Sequence, residues 1–180
     1  GPASNAGAVQ NDDFRLMDLT STISDGDEHV VIHRLDRLAI SWRKDRWAAK
    51  VGRQAISWGN GMLYNPMDIF NPFDPAAVDK EYKSGDDMAY GQYLRDNGDD
   101  LQTVWVVRRD QDGELTSDVN SLAAKYHGLL GSTEYDVLVA QHYGDGILGL
   151  GLSTDFGGAV WRGDLVFSDT DSKNILSAVA

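Results

Sequence analysis

The run Ala159-Val160-Trp161-Arg162-Gly163-Asp164-Leu165-Val166-Phe167-Ser168 alternates in character with a period of two. Successive side chains of an extended strand project to opposite sides, so Trp161, Leu165 and Phe167 would share one face while Arg162, Asp164 and Ser168 share the other. A helix would scatter those charges among the apolar residues, so the segment reads as a strand. The same signature recurs along the chain. Leu38, Ile40 and Trp42 alternate, two polar residues (Lys44-Asp45) follow, and a second run extends from Arg46 to Ala55, which suggests a hairpin. Further strands are expected over Phe14 to Ile23, Val30 to Leu35, Leu101 to Arg109, Ser121 to Leu130, Glu134 to Tyr143, Ile147 to Thr154 and Asn174 to Val179.

The joints Gly131-Ser132-Thr133, Gly144-Asp145-Gly146 and Gly157-Gly158 are short and glycine-bearing, so neighbouring strands should pair antiparallel as an up-and-down meander. About nine strands are expected, and a meander of that size must close into a barrel or split into two packed sheets. The polar faces bear on that choice. Lys125 and His127 flank Tyr126, and Gly149, Gly151 and Ser153 alternate with Leu148, Leu150 and Leu152. Small or charged residues on one face with Leu, Trp or Tyr on the other suit a transmembrane β-barrel with a wet lumen. The solvated outside of a soluble β-sandwich or jelly roll satisfies the same pattern. The fold class is therefore all-β and antiparallel, with the barrel preferred.

Composition removes several function classes. A formal net charge of -12 repels phosphate backbones and argues against a nucleic-acid partner. With no cysteine there can be no disulfide, thiolate metal site or cysteine nucleophile. Every apolar run is cut within a few residues by Asp, Arg, Lys or Gly, so no membrane-spanning helix is encoded, a test that does not touch β-barrels. Gly1-Pro2-Ala3-Ser4-Asn5-Ala6-Gly7 reads as a protease-site and cloning remnant, leaving residues 8–180 as one domain or part of one.

From Gly59 to Asp100 the alternation lapses and turn-forming pairs dominate: Asn65-Pro66, Asn71-Pro72, Asp74-Pro75, Gly85-Asp86 and Gly98-Asp99. A loop of this length is expected to be functional, and its Tyr64, Phe70, Phe73, Tyr82, Tyr90 and Tyr93 should pack against something.

Val51-Gly52-Arg53-Gln54, then Ser57-Trp58-Gly59, Asn65-Pro66-Met67-Asp68 and Asn71-Pro72 resemble a pattern in porin-type outer-membrane proteins of Gram-negative bacteria, including alginate-export-like porins. The resemblance covers about a quarter of the chain directly. It implies an outer-membrane transport barrel, Arg53 and Gln54 pointing at or near the lumen, and the loop 59–100 folded inward as a constriction. Barrels of that kind commonly have more strands and end on an aromatic residue, so the chain reads as a partial one that associates with other barrel segments or subunits.

The remaining candidates follow from charge. Arg34, Arg37, Arg53, Arg108, Arg109 and Arg162 are expected to form a basic ladder facing loop carboxylates such as Asp86 and Asp87, orienting a small polar or anionic solute. Solvated or ion-paired strand residues are the plainer reading of the same arginines. Arg162 and Asp164 are placed in the polar interior. Trp42, Trp47, Trp161, Tyr126 and Phe167 belong at membrane interfaces or on the lipid face.

The acidic residues Asp68, Asp74, Asp79, Asp86, Asp87, Asp96, Asp99 and Asp100 are better read as solvated than as a calcium site, and Asp110-Gln111-Asp112-Gly113-Glu114 as a turn. His29, His33, His127 and His142 lack zinc spacing, Ser41, Ser57 and Ser153 lack a nucleophile-elbow context, and no phosphate-binding glycine loop occurs. No metal, no cofactor and no catalysis are expected. The alternative to a channel is a soluble all-β module that binds carbohydrate through aromatic and acidic residues.

Overall fold

A computed structural model describes residues 12–25, 30–59, 65–70, 85–170 and 173–179. Among the described residues eleven strands follow one another: β1 (Thr20–Asp25), β2 (Val30–Arg34), β3 (Leu38–Lys44), β4 (Trp47–Gln54), β5 (Asp86–Leu94), β6 (Asp100–Val106), β7 (Ser121–Leu130), β8 (Thr133–His142), β9 (Asp145–Phe156), β10 (Ala159–Asp169) and β11 (Asn174–Val179). β3 to β11 form one nine-stranded antiparallel sheet in which every strand lies beside its sequence neighbours, and β1 pairs with β2 in a separate two-stranded sheet. The all-β antiparallel meander is thus as expected. The large sheet is open among the described residues, with β3 and β11 at its edges.

Tight turns enforce this topology. β9 passes to β10 through Gly157 (φ 64°) and Gly158 (φ 81°), so both central residues take the left-handed conformation that matches the twist of a two-residue hairpin. Leu130 pairs with Thr133 and His142 with Asp145, each across two residues. The β3–β4 hairpin differs from its expectation by one position. Lys44 pairs with Trp47, so Asp45-Arg46 is the turn, and Asp45 carries a positive φ of 51°.

Three further expectations are corrected. The region 59–100 is not one loop, because Asp86–Leu94 forms β5, which is hydrogen-bonded on both sides, to β4 and β6. Its outward residues Ala89 and Gly91 are too small to give the apolar rhythm that marks the other strands. The strand expected from Phe14 begins only at Thr20; Arg15 instead makes an isolated bridge with Arg108. Finally, β2 stops at Arg34 and pairs with β1, so the meander does not take in the first hairpin. Asn71 to Pro75, Asp79 and Tyr82 lie outside the described residues.

The register assigns every large-sheet residue to one of two faces. One, here called the outer face, carries Ile40 (82% exposed), Trp105, Leu122, Leu150, Trp161 (63%) and Leu176 (67%), all open to the surroundings. The opposite, inner face carries Met88, Val104, Val106, Ala123, Leu138 and Val166, and these are buried because Trp58, Met67 and Phe70 of the β4–β5 connection lie over them. The hydrophobic core is therefore the contact between the sheet and this inward segment.

The connections are also asymmetric. Those at one end (45–46, 95–99, 131–132 and 157–158) are short, whereas the two long ones, 55–85 and 107–120, leave from the other end.

Nothing lies within 4 Å of a side chain built at Gly158, so a substitution there tests backbone strain alone. Gly158→Val is expected to lower the unfolding free energy by about 1–2 kcal/mol, with Gly158→Asn recovering most of the loss. Urea titration followed by tryptophan fluorescence reads both.

Candidate functional site

The inner face gathers charge under and beside the inward segment. Arg108 follows β6 and is buried; its Nη2 donates to Asp86 Oδ2 at 2.6 Å and its Nη1 to Ser121 Oγ at 2.8 Å. Ser121 in turn contacts His142 Nδ1 at 2.8 Å, and the His142 ring meets Phe70 edge-on with centroids 5.9 Å apart. The Arg108 guanidinium lies 4.6 Å from the centre of the Tyr143 ring. Asp86, Ser121 and His142 come from β5, β7 and β8, and Arg108 and Tyr143 follow β6 and β8; the ladder pairs Met88–Val106, Val106–Ser121 and Ser121–His142 bring these strand ends together. His142 presents Nδ1 to Ser121 while Asp86 is engaged by Arg108, so the geometry is not that of a Ser–His–Asp relay.

A second group sits further down β7 and β8. Lys125 Nζ is 3.3 Å from Asp136 Oδ1, which also meets His127 Nδ1 at 3.1 Å. Lys125 also lies 5.9 Å from the centre of the Trp58 ring, within cation–π range. Trp58 Nε1 donates to Gln102 Oε1 at 2.8 Å, and Gln102 Nε2 donates to Asp100 Oδ1 at 2.9 Å. The inward segment is thus held by an indole hydrogen bond as well as by packing. Met67 seats beside Gly149 of β9, where a side chain built on the glycine would come within 3.4 Å of the Met67 Cγ.

Arg162 and Asp164 share the inner face with Ser153 and Asp136, and Trp161 points the other way, as the alternation of β10 requires. Arg162 is exposed and Asp164 is buried. Gln54 and Asp86 are ladder partners, and the Gln54 amide donates to the carbonyls of Lys50 (3.1 Å) and Met88 (3.3 Å).

Arg53 and Asp87 are a different matter. Adjacent strand residues face opposite ways, so Arg53 cannot share Gln54's direction, nor Asp87 that of Asp86. Arg53 is fully buried at the strand end beneath the N-terminal segment. Its Nε donates to Asp87 Oδ1 at 2.9 Å, its Nη1 to Asp12 Oδ1 at 2.7 Å, and its Nη2 to the Met17 carbonyl. Arg53 is a structural clamp rather than a lumen residue, and Asp87 is its counter-ion. Nor do the arginines form a ladder. Arg34 lies on the two-stranded sheet 3.0 Å from Asp36, and Arg109 donates to the Gly113 carbonyl at 3.0 Å. Arg108 and Asp86, expected to face each other across a gap, are directly bonded.

Lys125, Asp136, Ser121 and His142 belong to the site although no motif marks them; the one sequence signal was that Lys125 and His127 share the polar side of β7. Among the described residues no group of three or more His, Asp or Glu is placed to hold a metal ion. The acidic residues are spread apart: Asp99 takes the Tyr126 hydroxyl and the Asn97 amide at the 95–99 turn, far from Asp86 along β5. Compared with known families, with curated proteins and with solved structures, the chain matches none.

The clamp has a pH signature. Burial pushes the Asp12 carboxyl up, but hydrogen bonds from Thr20, Leu19 and Arg15 and the charge of Arg53 outweigh it and hold the group at about 2. A carboxyl depressed in the folded state stabilises it above the unfolded value, and that contribution disappears as pH falls from about 4 to about 2. Backbone amides of residues 12–25 should therefore lose hydrogen-exchange protection over this window in the native protein. In Asp12→Asn protection should already be low at neutral pH.

Proposed function

We propose that the chain forms wall strands of a Gram-negative outer-membrane β-barrel that passes small polar or anionic solutes, with the inward segment as its constriction. The observation that carries this reading is the inversion of burial across the sheet. Leu122, Leu150, Leu165 and Trp105 are between 41% and 60% exposed, while Arg108, Asp86, Lys125 and Asp136 are buried or nearly so. A soluble sandwich would bury the first set and expose the second. An apolar face of this extent is stable only when something apolar covers it, and for strands that alternate in this way lipid is the natural cover.

Three further features support it. At roughly 3.4 Å per residue the outward stretch from Trp161 to Phe167 is about 20 Å long, comparable with the apolar band of about 25 Å on such barrels. Aromatic rings gather on the outer face toward the short-turn end: Trp47 and Tyr93 meet at a tilt across β4 and β5 with centroids 4.6 Å apart, and Tyr126 and Tyr135 lie 6.1 Å apart on β7 and β8. Such rings suit a membrane–water interface. The confinement of both long connections to one end, where they alternate with the short turns 143–144 and 170–173, also suits this architecture.

In this reading Trp58, Met67 and Phe70 narrow the passage from within. Arg108, Asp86, Lys125, Asp136, Arg162 and Asp164 line the polar side, and paired charges of both signs would orient a dipolar or anionic solute without trapping it. Closure would come from association of the β3 and β11 edges with other barrel segments or subunits.

The purified chain should show monodisperse β-structure by circular dichroism and size-exclusion chromatography only with detergent or lipid. In that state a water-soluble maleimide should label Arg162→Cys quickly and Trp161→Cys slowly. A chain folded and monodisperse in plain buffer, or equal labelling at the two positions, would overturn the reading.

A further inference from the structure

On the inner face of β3, β4 and β5 two ladder rows lie side by side. Ser41 pairs with Lys50 and Lys50 with Tyr90; Arg43 pairs with Ala48 and Ala48 with Gln92. These six residues, together with Trp42 and Ala49 of the adjacent row, line an open cavity of about 270 Å³. Ala48, the smallest of the six, leaves the hollow between the Arg43 and Gln92 columns.

What distinguishes this hollow is its charge balance. The buried cations of the inner face are neutralised, Arg108 by Asp86 and Lys125 by Asp136, whereas Arg43 is exposed and Lys50 half-buried. Arg43 and Lys50 have no ion-pair partner among the described residues, and no carboxylate lines the cavity. The carboxylate whose field reaches Tyr90 is Asp100, and one of its oxygens is taken by the Gln102 amide. Two cations on a pocket whose lining holds no carboxylate give it a positive field that attracts an anion.

We propose that this hollow is a binding site for a small organic carboxylate, an inference that rests on the inner face being the solute-facing side of the wall and names the class of solute it selects. The guanidinium of Arg43 is a planar fork suited to both oxygens of one carboxylate, and Lys50 adds a second positive charge. Ser41 and Gln92 offer hydrogen bonds to polar substituents, while the Tyr90 ring and the Ala48 methyl give an apolar floor. The volume lies at the small end of ligand sites, which favours a single ring or short chain bearing one carboxylate over an oligomer. The row of Arg43, Ala48 and Gln92 continues through Gln102 to Lys125, so the site lies two strands from the Lys125 group, and its lining shares no residue with that group or with the Arg108 group.

The test uses the full chain in non-ionic detergent, with para-fluorobenzoate and its neutral isostere para-fluorobenzamide as probes read by fluorine NMR line broadening. Para-fluorobenzoate should bind and the amide should not. Binding should weaken roughly tenfold in Lys50→Met and in Arg43→Gln, and less in Arg43→Lys, which keeps the charge but loses the fork. Lys44→Gln removes a neighbouring charge from the outer face and should change nothing. Circular dichroism of each variant separates loss of the site from loss of the fold. Equal binding of amide and acid, or equal weakening by Lys44→Gln and Lys50→Met, overturns the site. So does a folded, detergent-embedded chain that binds neither probe, an outcome that leaves the barrel reading standing. Selective benzoate binding by a chain that folds without detergent would sustain the site and sink the barrel.

Discussion

The unbroken ladder from β3 to β11 governs what every side chain of the sheet can do. Because the side-chain period of a strand is two, slipping any one pair by a residue would exchange its faces, sending Leu148, Leu150 and Leu152 inward and Gly149, Gly151 and Ser153 outward. Two-residue turns at 131–132, 143–144 and 157–158 leave no slack for such a slip. Once the register is set, the small residues of β9 come to lie under Met67, and the polar rows of β5 to β8 under Trp58 and Phe70. Local turn chemistry thus fixes a long-range contact, that of the inward segment with the sheet.

Burying charge on the inner face is costly unless each group is paired, and this sheet meets the condition with residues from different strands. Arg108 links a carboxylate on β5 to a hydroxyl on β7, and Asp136 on β8 engages two neighbours on β7. Each pair therefore ties strands together laterally, adding side-chain links to the backbone ladder. The Arg53 clamp does the same at the rim. It joins β4, β5 and the N-terminal segment through one guanidinium that makes four hydrogen bonds.

The strands were legible wherever both faces speak. In β10 large apolar residues alternate with charged ones, and the facing read from the sequence is the facing found, with Trp161, Leu165 and Phe167 on one side and Arg162 and Asp164 on the other. β5 was illegible because its outward positions are Ala89 and Gly91 and because proline and glycine pairs precede it. Arg53 was misjudged for a different reason. Its neighbours suggested a lumen, but its environment is made by Asp12 and Met17, more than thirty residues earlier in the chain. No local pattern encodes that meeting. That Arg43 and Lys50 meet no carboxylate among the described residues was equally hidden, since it depends on which strands lie beside them.

The open sheet has one more property that follows from counting. In a meander each strand reverses the direction of the one before, so the first and ninth members, β3 and β11, point the same way. Brought together directly they would meet as a parallel seam, with slanted hydrogen bonds in an otherwise perpendicular set. A ring that is antiparallel throughout must hold an even number of staves. Completing this sheet in that manner would take an odd number of further strands, and the two-stranded β1–β2 hairpin does not have the right parity.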